Sequence, residues 1–252
     1  MSIRSCFLHA IAAAALAASP VEGQARPSTT SKAATQAAPI TTFITTLGND
    51  TVAVEQFTRS GPTITGDYVV RPGGTVVNHY VLHLDSSGLP SKLELTQHRA
   101  DGTPVPNGPR WVTMEIAENE AVVIIERDTA ITRRFAIHHA IPLLGTSFGL
   151  LEVGFERLRA TRADSAAFPG LPLNAQQLPD PIQVKFFAPD SLRFWSASGP
   201  LYAKIDDSGR IVGVSGRETS TRIEARRVST LDLPALIASF GAADAAGRGI
   251  RP

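Results

Sequence analysis

The feature that most constrains this chain is a recurrence. From Thr41 onward, short runs rich in β-branched residues alternate with turn residues. "TTFITTLGNDTVAVEQFTRSG" holds two such runs around Gly48-Asn49-Asp50. "TITGDYVVRPGGTVVNHYVLHLDSSGLPSKLELTQHR" continues the pattern, with Pro72-Gly73-Gly74 and Asp85-Ser86-Ser87-Gly88 as turns. "RWVTMEIAENEAVVIIERDTAITRRFAIHH" adds three runs, and "PIQVKFFAPDSLRFWSASGPLYAKIDDSGRIVGVSGRETSTRIEARRV" adds five. Runs recurring at roughly 8 to 12 residues, joined by turns and not by helices, specify antiparallel sheet. Parallel pairing needs long crossovers, for which these spacings leave no room.

One hairpin shows that the sheet has two unlike faces. Asn78, Tyr80, Leu82 and Leu84 form a mostly apolar alternate set, while His79, Val81 and His83 form a mostly polar one. Across the turn, Leu89, Leu93 and Leu95 are apolar, and Lys92 and Glu94 are polar. Side chains alternate strictly along a strand, so a slip of one residue would expose the leucines. The register that buries both leucine sets brings His79 and His83 near Lys92 and Glu94. A similar turn recurs: "LHLDSSGLP" and "AKIDDSGRI" align at Asp85/Asp206, Ser87/Ser208 and Gly88/Gly209. Both read as hairpin turns in which Asp accepts local hydrogen bonds and Gly supplies positive φ.

What covers the apolar face is predicted from Ile141 to Ala160. Leu144, Phe148, Leu151, Phe155 and Leu158 are spaced 4, 3, 4 and 3, one stripe of an amphipathic helix. Pro142 suits the first turn of such a helix. Gly145 and Gly149 lower its propensity by about 1 kcal/mol each, which close approach to the sheet would offset. A second, short helix is expected near the end, beginning around Asp232, with Leu236, Ile237 and Phe240 on one side. Residues 41–240 are therefore read as one β domain, and 241–252 as a flexible tail.

The termini and composition supply an address. Arg4, the apolar stretch Phe7 to Ala18 and the small residues of Gly23-Gln24-Ala25 match a secretory signal peptide over residues 1–25. Residues 26–40, "RPSTTSKAATQAAPI", hold little that could be buried and read as a disordered leader. The chain is expected to be secreted or periplasmic. Its one cysteine, Cys6, precedes the apolar run, so neither disulfide nor thiol chemistry is expected after cleavage. The net charge of +1 comes without a basic stripe, so no nucleic-acid partner is expected. No later apolar run is long enough for a transmembrane anchor.

Chemistry-bearing motifs are few. Gly145-Thr146-Ser147-Phe148-Gly149 has the form G-x-S-x-G of a nucleophile elbow. A hydrolase of that kind carries its histidine after the serine, and here histidines stand at 9, 79, 83, 98, 138 and 139 only. Ser147 is read as a serine in the helix's first turns or at its cap. His138-His139, as neighbours on a strand, should point to opposite faces and not share an ion, so no metal site is assigned. H-E-x-x-H is absent. Asp206-Asp207 sits in a turn without calcium-loop spacing. No glycine-rich phosphate loop opens a helix, and no cofactor is expected. Of the large aromatics outside the helix, Trp111, Phe186, Phe187, Phe194, Trp195 and Tyr202, most belong to the core, and several are able to line a cavity in a curved sheet.

Many antiparallel strands, a helix able to lie across them and a signal peptide resemble the LolA-like family of periplasmic carriers. The resemblance covers about residues 41 to 230. It implies a curved half-barrel with helices on its concave side, where lipidated partners or acyl chains bind. Separately, "RRFAIHHAIPLLGTSFGLLEVGFERLRA" and "LIASFGAADAAGRGIRP" resemble the N-terminal region of secreted bacterial multi-domain proteins of uncharacterised function. That resemblance implies a second domain or protein partner.

The expectation is a mainly β protein, a curved antiparallel sheet or half-barrel with one amphipathic helix on its apolar face. It would bind an apolar or lipid-like ligand, or a partner protein, without catalysis. Leu144, Phe148, Leu151 and Phe155 would form one wall of the pocket, and Tyr80, Leu82 and Trp195 the other. An accessory domain with a closed core is the first alternative. A serine hydrolase pairing Ser147 with His138 or His139 in a non-standard order is the second.

Overall fold

Each β-branched run becomes a strand in the computed structural model, which describes residues 38–161, 163–196, 199–216 and 222–250. The expected signal peptide and the leader up to residue 37 lie outside the described residues. The first block of strands is β1 (Ile40–Leu47), β2 (Asp50–Ser60), β3 (Thr63–Val70), β4 (Val76–Leu84), β5 (Pro90–Arg99), β6 (Trp111–Ile116), β7 (Ala121–Glu126) and β8 (Ala130–Phe135). A middle segment follows, with β9 (Ile141–Leu143), helix α1 (Phe148–Thr161), β10 (Ser165–Phe168) and β11 (Gly170–Pro172). The second block is β12 (Ile182–Ala188), β13 (Ser191–Ser196), β14 (Gly199–Ile205), β15 (Ile211–Gly216) and β16 (Ile223–Val228), closed by helix α2 (Leu233–Ala245).

Strand β1 joins the blocks. It pairs with its hairpin partner β2 on one side and with β16 on the other, with Phe43 opposite Arg227 and Thr45 opposite Ala225. Among the described residues this makes one antiparallel sheet of 14 strands, open, with β10 at one edge and β8 at the other. The predicted leucine register holds, with Tyr80 facing Leu95, Leu82 facing Leu93 and His83 facing Lys92, whereas His79 faces Thr96 and pairs with Asp67 on β3 at 2.8 Å. Asn78, Tyr80, Leu82 and Leu84 are all buried, and His83 Nε2 lies 3.6 Å from Glu94. The two matching turns share their chemistry too. Asp85 Oδ1 accepts from the backbone and hydroxyl of Ser87 and from Leu89 N, as Asp206 Oδ1 does from Ser208 and Arg210.

The sheet must curl. Ile125 on β7 and Phe194 on β13 line one cavity, yet ten strand spacings separate them in the sheet order. Flat, they would stand roughly 48 Å apart at the usual strand spacing. The apolar face wraps around α1, which buries nine of its residues, from Phe148 to Leu158.

Four expectations need correction. The helix starts at Phe148 and not near 141. Pro142 lies in β9, where the segment is pulled into a ladder: Ile141 N donates to Pro169 O and Leu173 N to Leu143 O. Gly145, at φ +52°, then turns the chain before the helix begins. Second, parallel pairing does occur, since β9 and β11 run parallel with Ile141 opposite Gly170. The crossover it needs is α1 itself with β10. Third, β1 begins at Ile40, inside the expected leader. Fourth, residues 241–250 are docked. Helix α2 continues through Ala245, Asp244 Oδ2 accepts from Thr75 N at 2.6 Å, and Gly73 N donates to Ile250 O at 3.1 Å. Its cap is as predicted, with Asp232 accepting from Ala235 N at 3.0 Å. Leu233 and Phe240 pack on Val54, Val69 and Val77, on the face of the sheet opposite α1, and the Arg71 guanidinium lies 4.2 Å over the Phe240 ring.

Candidate functional site: the interior beneath the helix

The first turn of α1 is held from a distance. Glu55, on β2 between the inward residues Ala53 and Phe57, is buried. Its carboxylate accepts from Phe148 N at 2.6 Å and Gly149 N at 3.0 Å, the opening donors of the helix. Ser147 Oγ donates to Glu55 Oε1 at 2.5 Å, and Tyr80 Oη donates to the same oxygen at 2.7 Å. A strand carboxylate thus serves as the helix cap, where the helix dipole favours negative charge. Burial raises the Glu55 carboxyl above its ordinary range, and the four donors oppose that rise. The same burial, with the Glu55 charge beside it, pushes the Tyr80 phenol well above its usual value. Ser147 is 2 % exposed. The serine of G-x-S-x-G is neither at an exposed elbow nor turned to a histidine, but is part of this cap.

One turn further along, Glu152 is buried against the second strand block. It accepts from Ile211 N at 2.8 Å and from Arg227 Nη2. Desolvation is the largest influence and raises its pKa to about 7, opposed by Arg227 and by the Ile211 N–H. The neighbouring Glu55 and Glu156 charges add to the rise. Glu156 pairs with Arg59 at 2.6 Å. The hairpin turn at Gly209 approaches the helix so closely that a Cβ there would lie 2.9 Å from Glu156 Cα.

Beside the helix the interior opens. A cavity of about 1040 Å³ lies between Leu95, Val112 and Ile125 on one side and Phe194 and Trp195 on the other. Leu144 and Leu151 face it, and the segments Gly170–Leu173 and Pro179–Gln183 border it. Its polar lining is limited to side chains such as Gln97, Arg127, Asp180 and Gln183. Gln97 Nε2 is tied to Asn78 Oδ1 at 2.7 Å. Arg133, on the edge strand β8, donates to the carbonyls of Asn174 and Ala175 beyond β11, a link across the open side of the sheet.

The seven residues predicted to form a pocket divide in two. Leu144, Leu151 and Trp195 line the cavity. Tyr80, Leu82, Phe148 and Phe155 are at most 1 % exposed and belong to the packed interior. Phe148 sits 5.3 Å from the Phe43 ring and Phe155 5.3 Å from that of Phe194. Glu55 and Glu152 were missed by the sequence reading. For Glu55 a signal existed, because strict alternation along Ala53, Glu55 and Phe57 puts an acid on the greasy face. For Glu152 the helix pattern pointed outward, and only the second strand block covers it.

Two other concavities, of about 830 and 840 Å³, are more open and share the exposed Phe187. The histidine pair also departs from expectation. His138 and His139 lie on a bend and not on a strand. Their ring centroids are 4.0 Å apart, because His139 adopts φ +49° and swings its side chain to the same side as its neighbour's.

No family model matches the chain, and no curated protein matches it. Among solved structures it is similar to a DUF1089 family protein from Pseudomonas aeruginosa, at 11% identity, covering 65% of this chain and 89% of that one with a TM-score of 0.47. It is also similar to a β-barrel-like protein of the domain of unknown function DUF1849 from Brucella abortus, at 10% identity, covering 76% and 96% with a TM-score of 0.46. Neither is described as a LolA-like carrier.

Proposed function

We propose that this chain is a secreted or periplasmic binding protein, without catalytic activity, whose cavity takes an apolar or lipid-like ligand. The observation that carries this reading is the cavity beside α1, about 1040 Å³ with leucine, valine, isoleucine and aromatic walls. Small-molecule sites typically measure about 300–1,000 Å³ and set a few polar groups among apolar walls. An alkyl chain contributes roughly 0.8 kcal/mol per buried methylene, so ten methylenes supply about 8 kcal/mol before association costs. Arg127 and the Gln97 and Gln183 amides in the lining suit a polar end group. The hydroxyl of Ser147, committed to Glu55, supports a non-enzymatic reading of its motif. The export signal read in residues 1–25 supports the address.

A second reading, an accessory domain with a closed core, draws on the tight packing of Tyr80, Leu82, Phe148 and Phe155. Native mass spectrometry of the protein purified from a secretory host separates the two. The binding reading predicts a co-purifying apolar molecule, or uptake of added fatty acid or phospholipid. Leu144→Trp, which fills the cavity from a half-buried position, should abolish that uptake while leaving the protein folded. A clean apo mass with no uptake of either lipid would overturn the binding reading and favour the accessory domain.

A further inference from the structure

Among the described residues, one group of metal-ligating side chains converges away from the cavity: Glu118, His138 and His139. One carboxylate oxygen and one nitrogen from each imidazole lie within 4.8 Å of one another. The backbone builds this convergence. The left-handed His139, at φ +49°, cancels the alternation that would send two neighbours to opposite faces. For a residue other than glycine that conformation is uncommon and clusters at functional sites. It is held by a bond from His139 N to Glu118 O at 3.0 Å and one from Ile137 N to Asn119 O at 3.2 Å, which lash the bend to the β6–β7 turn. A second observation points to a ligand. His138 Nδ1 is 3.1 Å from Asn119 Oδ1. An imidazole that donates through Nδ1 presents its Nε2 lone pair outward, the arrangement by which a neighbouring carbonyl orients a metal-binding histidine.

We propose that Glu118, His138 and His139 form a surface site for a divalent transition metal of the zinc type, with water completing the coordination. Two imidazoles and one carboxylate are the donor set of borderline ions, and three protein ligands leave a position open. Calcium and magnesium require oxygen-rich sites and are not expected here.

Isothermal titration of the full chain with zinc chloride, in a buffer that does not chelate, tests this. One zinc per chain is expected. His138→Ala and His139→Asn should each weaken it by at least about tenfold, Asn being a residue that tolerates the left-handed backbone. Glu118→Gln should weaken it as well, and Asn119→Ala by about tenfold through loss of orientation. His79→Ala, which removes an exposed imidazole paired with Asp67 at 2.8 Å, should leave it unchanged. Both histidines of the site are near the surface, so circular dichroism should show every variant folded. The absence of stoichiometric zinc, or binding that either His138→Ala or His139→Asn leaves intact, would overturn the proposal. So would calcium binding in place of zinc.

Discussion

Two regions flank the same helix inside the same sheet, and they differ in how they are filled. At the first turn of α1 the interior is closed. Gly66 and Gly149 press against the Tyr80 phenol so tightly that a Cβ at either would lie 2.7 or 2.8 Å from its oxygen. Glu55 is satisfied there by four donors. On the flank toward β5–β7 and β13, the cover is β9, β11 and a segment containing Pro172, Pro179 and Pro181, and a cavity remains. The helix has polar anchors away from that flank. It is anchored by Glu55 at its start, by Glu152 to Ile211 and Arg227 in its middle, and by Glu156 to Arg59 beyond. A cavity is tolerated where the element beside it is fixed by polar contacts elsewhere.

The contrast is broken most severely at Glu55. Glu55→Ala leaves two helix N–H groups, a serine and a tyrosine without their acceptor and empties a buried volume. A loss of about 3–5 kcal/mol is expected in urea unfolding. A loss under about 1 kcal/mol would mean that the cluster does not hold the helix.

Glu152 sharpens the comparison, because it is satisfied by a cation where Glu55 relies on neutral donors. Its folded pKa of about 7 lies above the ordinary 4.5. The folded state therefore binds the proton more tightly than the unfolded state does. The stability this contributes is complete below about pH 4.5 and is lost as pH rises through about 7. The swing is on the order of 3 kcal/mol. Glu152→Gln should flatten the dependence of melting temperature on pH across this window. Burial raises the Glu55 carboxyl too, so it contributes in the same direction. An unchanged profile in the glutamine variant would assign the titration elsewhere.

The smallest effect is expected at Gly149. Its missing Cβ would stand 2.8 Å from Tyr80 Oη and 2.9 Å from Phe57 Cδ1. Gly149→Ala gains helix propensity yet overpacks the closed region, for a net loss of about 1–3 kcal/mol by thermal melting. The same substitution should leave ligand uptake by the cavity unchanged. A stabilised variant would show that the closed region has slack.

Much of the fold was legible because it is local. Alternation along Asn78 to Leu84 identified the buried face, and the Asp-Ser-Ser-Gly and Asp-Asp-Ser-Gly breaks located two turns with the same hydrogen bonds. The stripe from Phe148 to Leu158 identified the helix. Its start was misplaced because Leu144 fits the helical period, yet β9 offers its segment a ladder that propensity does not weigh. Of the predicted pocket, Leu144, Leu151 and Trp195 border the cavity, while Tyr80 and Phe148 are in packed interior. Hydrophobic pattern marks an inward side chain but does not tell a filled neighbourhood from an empty one.

By itself, then, the sequence determined the antiparallel strands, their two-faced character and the presence of two helices, since these follow from periodicity and turn chemistry within a few residues. Only the tertiary structure decided that β1 pairs with β16, that Glu55 caps a helix 93 positions away, that a cavity opens beside that helix, and that His138 and His139 share a side. Each of these depends on contacts between distant segments, or on one backbone angle that distant hydrogen bonds hold, and such contacts leave no period in the chain.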